Sequence, residues 1–313
     1  MSARRVLQLV LVAQALAALG IAAAAIHWFG VAAWAALAIG LGAVALVRLA
    51  INMNNFVLAA CFASPTPPEF RLAPPARLRL LAEEFAASML YTSWHMARAR
   101  AAVQVYPDAR ALPVLLVHGY GCNSGYWAHL VPRLARARIS HASVDLAPVT
   151  GDIDSYVRQV ERAVEELRAR TGAARVAVVA HSMGGLVARA WMRRHGAGRV
   201  ARLITLGTPH FGTGLASFGL GANAAQMRRK AGAPCAWLRA LAEGEDAACR
   251  ALVTSIYSHH DNIISPQTSS QLPGARNLAF GGVGHVALGR NRRILDAVMA
   301  ELALLTAGDA QRA

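Results

Sequence analysis

The sequence predicts an α/β fold in which helices cover both faces of a mainly parallel sheet, preceded by an N-terminal apolar helical hairpin. Two observations carry this prediction. From Pro113 onward, short runs rich in β-branched residues alternate with longer segments of helical periodicity, which is typical of parallel sheets built from strand–helix–strand units. Before Arg48, two long apolar runs contain no charged residue, as helices that cross a membrane require.

The N-terminal hairpin is predicted from the apolar runs at 6–26 and 31–47, which a tight turn joins. The first run matches the roughly 20 residues that cross a bilayer core, and the second is somewhat shorter. A cleaved secretory signal is the alternative, because Arg4 and Arg5 precede the first run and alanines at its end offer a cleavage site. The second apolar run favours an uncleaved hairpin, so we expect residues 6–47 to associate with a membrane.

The strands of the sheet are predicted from short apolar runs, and helices are predicted between them. The runs lie at 113–117, 175–180, 201–206, 252–257 and 276–280, and the clearest helical segments lie at 153–170 and 183–195. The alternation places the carboxyl ends of parallel strands at one edge, where loops carry functional residues.

A proline-rich stretch separates the hairpin from the α/β region. "SPTPPEFRLAPP" at 64–75 breaks the apolar pattern as a linker does, and helical periodicity follows over 76–94. The sequence therefore predicts a hairpin at 1–60, a linker with a leading helix at 61–105, and an α/β domain at 106–313.

The formal net charge of +15 raises the possibility of nucleic-acid binding. Among 32 basic residues only Lys230 is a lysine, and the arginines are scattered through helical segments without an interleaved aromatic stripe. A compositional bias toward Ala and Arg explains this distribution better, so no nucleic-acid partner is predicted. Attraction of the basic chain to anionic lipid headgroups is the more plausible consequence.

The stretch "VVAHSMGGLVARAWM" at 178–192 runs from a predicted strand into a predicted helix through a single serine. A nucleophile elbow holds its serine on a sharp turn above the sheet, with small residues two positions before and after it. Ala180 and Gly184 meet that requirement, so Ser182 is the predicted nucleophile. A serine that merely caps the helix is the alternative.

An acyl-transferring serine needs a base, a carboxylate that orients the base, and backbone donors for the oxyanion. In this architecture the chain order is nucleophile, acid, histidine. Asp261 follows a predicted strand end and His285 lies on the Gly-rich loop after the last strand, so these two are the predicted acid and base. The predicted oxyanion donors are the backbone N–H groups of Tyr120, after the strand 113–117, and Met183.

Other polar residues are assigned structural roles. His259 and His260 are expected as loop or edge residues, and Asp152 and Asp154 as caps of the helix that follows. His210 could line the pocket, although a structural role is favoured. Asp246 lies in a helical stretch and is the reserve candidate for the acid.

The segment 113–288 resembles the bacterial lipases of the α/β-hydrolase superfamily. "AHSMGG" at 180–185 and the downstream acid and histidine motifs resemble especially the small secreted Bacillus-type lipases, whereas "GTPHFGT" at 207–213 is closer to larger lipases with a lid. The resemblance implies a serine triad, ester substrates, and neither a metal nor a cofactor. It also makes 212–250 a candidate lid over an acyl pocket, with a core helix as the alternative.

The predicted function is therefore hydrolysis of carboxylic esters, as by a triacylglycerol lipase or carboxylesterase, on acylglycerols or other lipid-like substrates. Acyl transfer or thioester hydrolysis on the same residues is the alternative, because only the acceptor or leaving group differs. A non-catalytic membrane scaffold with a hydrolase fold is a third. The sequence does not define an oligomeric state.

Two signals disagree about the side of the membrane on which the α/β domain lies. Arginines flank the hairpin while its turn has none, which favours both ends in the cytoplasm. Cys235 and Cys249 could form a disulfide within 212–250, which would favour the periplasm or secretion. Cys61 and Cys122 have no evident partner and are expected as buried thiols.

Overall fold

The computed structural model describes residues 1–109, 111–230 and 232–305. The α-helices are α1 Ala3–Phe29, α2 Ala33–Ala60, α3 Pro74–Leu90, α4 Met96–Arg98, α5 Val131–Arg136, α6 Ile153–Thr171, α7 Met183–His195, α8 Ala222–Gln226, α9 Ala236–Glu243, α10 Ala247–Ala251 and α11 Arg292–Ala303. The strands are β1 Val103–Gln104, β2 Val114–Val117, β3 His141–Val144, β4 Val176–His181, β5 Val200–Leu206, β6 Arg229–Lys230, β7 Ala233–Pro234, β8 Val253–Ser258 and β9 Arg276–Phe280.

The main sheet has seven strands in the order β1-β3-β2-β4-β5-β8-β9. Only the β1–β3 pair is antiparallel, and the other neighbouring strands run parallel. Side chains alternate across β2, so that Leu115 and Val117 pack with α6 and α7 on one face while Val114 and Leu116 pack with α3 and α11 on the other. The predicted α/β class, with helices on both faces, is confirmed.

The five predicted strands are present within one residue of their predicted ends, because buried parallel strands are continuous apolar runs. The sequence did not predict β1 and β3. β3 is the short segment "HASV", and β1 is a two-residue edge strand held by pairing with it. Neither carries enough apolar residues to be recognised without its partner.

The hairpin helices α1 and α2 are longer than the apolar runs that predict them. They contain 27 and 28 residues, about 40 Å each at 1.5 Å per residue. They pack closely through small residues, since a Cβ on Gly40 would lie 2.1 Å from the Ala18 carbonyl oxygen. Most of their large apolar side chains are exposed, and both helices are long and apolar enough to cross a membrane.

The second half of α2 contacts both the Tyr91–His95 turn that follows α3 and the α/β domain. The Arg48 guanidinium donates to Ser93 Oγ at 2.7 Å, and the Ala59 carbonyl accepts from Ser265 Oγ at 2.6 Å. Cys61 caps the C-terminal end of α2 and is exposed, so the expectation that it is a buried thiol is wrong. The helix carries it to the surface instead.

The segment between the hairpin and the sheet contains α3, which begins at Pro74 and continues into a π-helical turn at Tyr91–His95. The helix predicted over 76–94 is therefore present, and it begins two residues earlier because proline is favoured in the first turn. Tyr91 is fully buried and its ring stacks on Tyr126 at 5.2 Å. This segment is thereby fixed to the α/β domain.

The candidate lid at 212–250 has two parts of different character. Leu238 and Leu241 of α9 are buried in the main core, so this part behaves as a core helix. The earlier part is a 3₁₀ helix at Gly214–Phe218 followed by α8, and here Phe218 and Leu220 are exposed. Cys235 and Cys249 are both free thiols.

Candidate active site

Ser182 lies at the corner between β4 and α7, with φ 54° and ψ −126°. A residue other than glycine rarely adopts a positive φ, and strain of this kind costs about 1–3 kcal/mol. Two residues later, a Cβ on Gly184 would lie 2.5 Å from the carbonyl oxygens of Val117 and His118. Because α7 nearly touches the end of β2, the elbow requires glycine at this position.

Asp261 and His285 form a direct pair at the ends of β8 and β9. His285 Nδ1 lies 2.7 Å from Asp261 Oδ2, and the other carboxylate oxygen accepts the N–H groups of Ile263 at 2.8 Å and Ile264 at 2.7 Å. The His285 N–H donates to Asn262 Oδ1 at 3.0 Å. With Nδ1–H directed at the carboxylate, Nε2 is left as the basic nitrogen.

The electrostatics of the pair suit a base. Burial alone would lower the pKa of His285, but the Asp261 carboxylate and its hydrogen bond outweigh burial and raise that pKa above its ordinary value. The buried Glu84 carboxylate adds to this effect. The neighbouring His181 ring lies 4.6 Å from the His285 ring, and burial holds the pKa of His181 well below its ordinary value. His181 is therefore neutral and does not compete for the proton.

The loop after β5 connects Ser182 to the acid–base pair. The Ser182 N–H donates to the Leu206 carbonyl at 2.8 Å, and Thr208 Oγ1 donates to the Ser182 carbonyl at 2.9 Å. A Cβ on the intervening Gly207 would lie 3.1 Å and 3.2 Å from the two atoms of the Asp–His hydrogen bond. The loop thus packs directly against both halves of the site.

The structure brings the three predicted residues to the carboxyl ends of β4, β8 and β9, at one edge of the sheet. Within the described residues, no hydrogen bond joins the Ser182 hydroxyl to the His285 imidazole. Catalytic hydrogen bonds are often long without substrate and shorten when it binds. The arrangement therefore contains the acid–base contact and the strained serine, while the serine–imidazole contact remains a prediction.

The predicted oxyanion loop lies against Ser182. A Cβ on Gly119 would lie 2.8 Å from Ser182 Cβ, so only glycine permits this approach. The His118 ring supports the loop, because its Nδ1 lies 2.8 Å from the Gly119 carbonyl while its Nε2 accepts the Leu146 N–H at 2.9 Å. Tyr120 follows on this loop and lines the same cavity as Ser182. Its backbone N–H and that of Met183 stay the predicted oxyanion donors.

A cavity of about 250 Å³ opens beside Ser182. Its walls are mainly apolar. Besides Tyr120 and Ser182, they come from the C-terminal turns of α2, the 213–227 segment and the loop after Asp261. The Tyr120 hydroxyl donates to the Leu220 carbonyl at 2.8 Å and accepts the Leu220 N–H at 3.1 Å. This contact ties the 213–227 segment to the oxyanion loop.

The other polar residues considered from the sequence make structural contacts. His210 is fully buried in a polar network with Arg189 and Thr205, away from the cavity. Asp246 caps α10 by accepting the Cys249 N–H at 2.6 Å, and Asp152 caps α6. His259 packs against Phe70, and His260 accepts the Gly282 N–H. Among the described residues, neither ring hydrogen-bonds to Asp261 or His285.

Sequence reasoning missed Glu84 of α3. Its side chain is fully buried, and its two carboxylate oxygens accept the N–H groups of Val286 and Ala287, each at 2.9 Å. Burial raises the pKa of Glu84 to about 7, although the two N–H bonds lower it. Glu84 therefore holds the residues that directly follow His285. Nothing in "LAEEFAA" distinguishes it from a solvent-facing helix residue.

Comparison with known proteins gives a consistent fold. Residues 113–236 match the family described as "alpha/beta hydrolase fold". Bacillus licheniformis lipase BlEst2 in its mature form has a TM-score of 0.54 at 20% identity, over 65% of this chain and 97% of that one. Aspergillus fumigatus lipase B has a TM-score of 0.54 at 21% identity, over 68% of this chain and 58% of that one. At such low identity the likeness establishes the fold, and the resemblance that the motifs predicted is confirmed.

Proposed function

Because this chain has the α/β-hydrolase fold, we propose that it is a carboxylic-ester hydrolase that works through an acyl-enzyme on Ser182. The single observation that carries the proposal is the direct Asp261–His285 pair, packed on the same loop after β5 as a strained serine that lines an apolar cavity. Solved lipases with this fold support ester hydrolysis as the reaction class. The apolar cavity walls favour an acyl group as the part of the substrate that is bound.

The acylation step uses His285 as general base. Nε2 takes the proton from Ser182 Oγ, and Oγ attacks the ester carbonyl carbon while the carbonyl π electrons move to the oxygen. The N–H groups of Tyr120 and Met183 stabilise this oxyanion. The intermediate then collapses, the bond to the alkoxy oxygen breaks, and the His285 imidazolium returns the proton to the departing alcohol.

Deacylation reverses the roles with water as nucleophile. His285 takes a proton from water, the hydroxide oxygen attacks the acyl carbon, and the bond to Ser182 Oγ breaks as Oγ recovers a proton. The acid is released. Asp261 keeps Nδ1 protonated throughout and stabilises the imidazolium, so the cycle uses only protein groups and water.

We also propose that residues 6–47 attach the enzyme to a membrane. The length and exposed apolar surface of α1 and α2 support attachment, since apolar side chains of this number are costly in water. An acylglycerol or similar lipid ester is the substrate class that suits an apolar cavity on a membrane-attached domain.

The test compares the full-length wild type with Ser182→Ala on p-nitrophenyl esters of graded acyl length. We expect Ser182→Ala to lose nearly all turnover while its circular dichroism and melting temperature remain similar. A fluorophosphonate probe should label the wild type alone. Ser155→Ala, on the surface of α6, is the control and should keep activity and labelling. Wild-type turnover in folded Ser182→Ala would refute the assignment, and product analysis would separate hydrolysis from acyl transfer.

A further inference from the structure

The C-terminal turns of α2 form part of the wall of the Ser182 cavity. Asn55 and Leu58 line it from the helix side, opposite residues of the α/β domain. The helix is held firmly there, since Ser265 Oγ donates to the Ala59 carbonyl at 2.6 Å. The Phe62 ring, just beyond α2, packs so closely on Gly214 that a Cβ there would lie 2.5 Å from it. The wall is therefore a fixed contact.

Apolar surface surrounds the mouth of this cavity. Phe218, which lines the cavity, and Leu220, whose carbonyl accepts from the Tyr120 hydroxyl, are 63% and 76% exposed. Isolated exposed apolar residues are ordinary, but an apolar rim next to an apolar cavity marks a surface that contacts lipid or a ligand. On the face of α2 that carries Leu58, Ile51 and Val47 lie about two and three turns further from the cavity and are 58% and 60% exposed.

From this continuity we propose that α2 is part of the acyl-chain site, and that the substrate is a long-chain acyl ester resident in the bilayer that holds the hairpin. The inference rests on the proposed ester hydrolysis and specifies its substrate. An acyl chain that leaves the bilayer along α2 lies mainly against apolar side chains, passing Asn55 at the cavity wall, until it reaches Ser182. It thereby avoids the free-energy cost that each methylene group would incur in water.

Leu58 is the residue that tests the wall, and Val57 is its matched control on the same turn. Leu58→Trp fills the cavity side of α2, whereas Val57→Trp places the same ring on the exposed side. We expect Leu58→Trp to lower the ratio of kcat/KM for p-nitrophenyl palmitate over p-nitrophenyl butyrate at least tenfold. Val57→Trp should leave that ratio within twofold of wild type. An unchanged ratio in folded Leu58→Trp would overturn the role of α2.

A second variant keeps this test informative if the tryptophan disturbs folding. Leu58→Ala enlarges the cavity on the α2 side. We expect it to raise the ratio of kcat/KM for p-nitrophenyl palmitate over p-nitrophenyl butyrate, the opposite of the change in Leu58→Trp. The full-length chain in detergent micelles serves for all of these measurements. A substrate profile for Leu58→Ala that matches wild type would again place α2 outside the site.

The bilayer origin of the substrate is tested with vesicles of phosphatidylcholine. In one arm, full-length protein and 1,2-dioleoylglycerol are reconstituted into the same vesicles. In the other, protein-containing vesicles are mixed with separate vesicles that contain the 1,2-dioleoylglycerol. We expect fatty acid release at least tenfold faster in the shared vesicles, while soluble p-nitrophenyl butyrate is cleaved equally in both. Equal rates on the lipid would overturn delivery from the same bilayer.

The two levels of proposal fail in different ways. If wild type and Ser182→Ala release product equally, or neither does, the proposed function fails and this inference falls with it. If Ser182→Ala abolishes activity while the Leu58 variants and the vesicle arms show no difference, ester hydrolysis stands and only the role of α2 is lost.

Discussion

The two oxygens of the Asp261 carboxylate have separate partners. One accepts the backbone N–H groups of Ile263 and Ile264, and the other accepts the His285 Nδ1–H. In Asp261→Asn the backbone donors hold the amide oxygen, so the NH₂ group faces Nδ1. The imidazole is then driven to carry its proton on Nε2, where it cannot act as a base.

We therefore expect Asp261→Asn to lower kcat by about 10⁴, because an orienting carboxylate can be worth that much, while the fold persists. Steady-state kinetics on a short ester measures the effect. Asp246→Asn removes the same charge from the cap of α10 and should change kcat less than twofold. A loss below tenfold in Asp261→Asn would mean that another carboxylate orients the base.

The position of Glu84 predicts a change in the pH dependence of kcat/KM. The charges and rings that face His285 are Asp261, Glu84 and the neutral His181, and the two carboxylates both raise its pKa. His285 works as a base only when neutral, so kcat/KM increases as pH rises through this pKa. Because the pKa of Glu84 is about 7, its carboxylate is charged mainly in the upper part of this limb. Glu84→Gln removes that charge, lowers the pKa of His285 there and moves the upper part of the limb to lower pH.

The control for this effect is Glu83→Gln, one residue earlier. Glu83 accepts from the Asn291 side chain and does not touch the His285 loop, so its profile should overlay that of wild type. A role for Glu84 in packing alone would lower activity at every pH without moving the limb. Glu84→Ala also leaves two buried N–H groups unpaired, each costing about 1–3 kcal/mol of stability, and should lower the melting temperature.

At the scale of elements, the sequence predicted the strands and turns whose local residue pattern defines them. β4 and β8 are continuous apolar runs, and the turns after them carry Ser182 and Asp261 in the order that the fold requires. What it could not predict depends on contacts between distant segments. Glu84 lies about 200 positions before the loop that it holds, and the α2 side of the cavity exists only because the helix extends past Arg48 onto the α/β domain.

The close packing of α1 on α2 gives a prediction for the hairpin. A Cβ on Gly40 would overlap the Ala18 carbonyl, whereas a Cβ on Gly42 would meet nothing within 4 Å. Gly40→Val should therefore force the helices apart and lower the melting temperature of the full-length protein in detergent by several degrees. Gly42→Val introduces the same β-branched residue on the open side and isolates the packing effect from helix propensity. Equal melting temperatures for the two variants would argue against this packing.

At the scale of the whole molecule, both ends of the hairpin meet the α/β domain. The Met1 carbonyl accepts the Val149 N–H at 3.1 Å, and the Ala59 carbonyl accepts from Ser265 at the other end. Two antiparallel helices return the chain to its starting side, so in a membrane the α/β domain and both ends would share one face. The substrate cavity would then lie on that face, at the base of the hairpin.

The arginine distribution selects which face this is. Arg4, Arg5 and Arg48 lie toward the domain end of the hairpin, while the turn around Gly30 has no arginine or lysine, so the positive-inside rule favours a cytoplasmic α/β domain. We expect alkaline phosphatase fused after Ala313 to be inactive in a bacterial host and a fluorescent reporter at the same place to be bright. Truncation after Gly30 leaves α1 alone before the reporter, and the phosphatase should then be exported and active. Strong phosphatase activity from the full-length fusion would reverse the orientation and assign the cavity to the periplasmic face, where Cys235 and Cys249 could be oxidised.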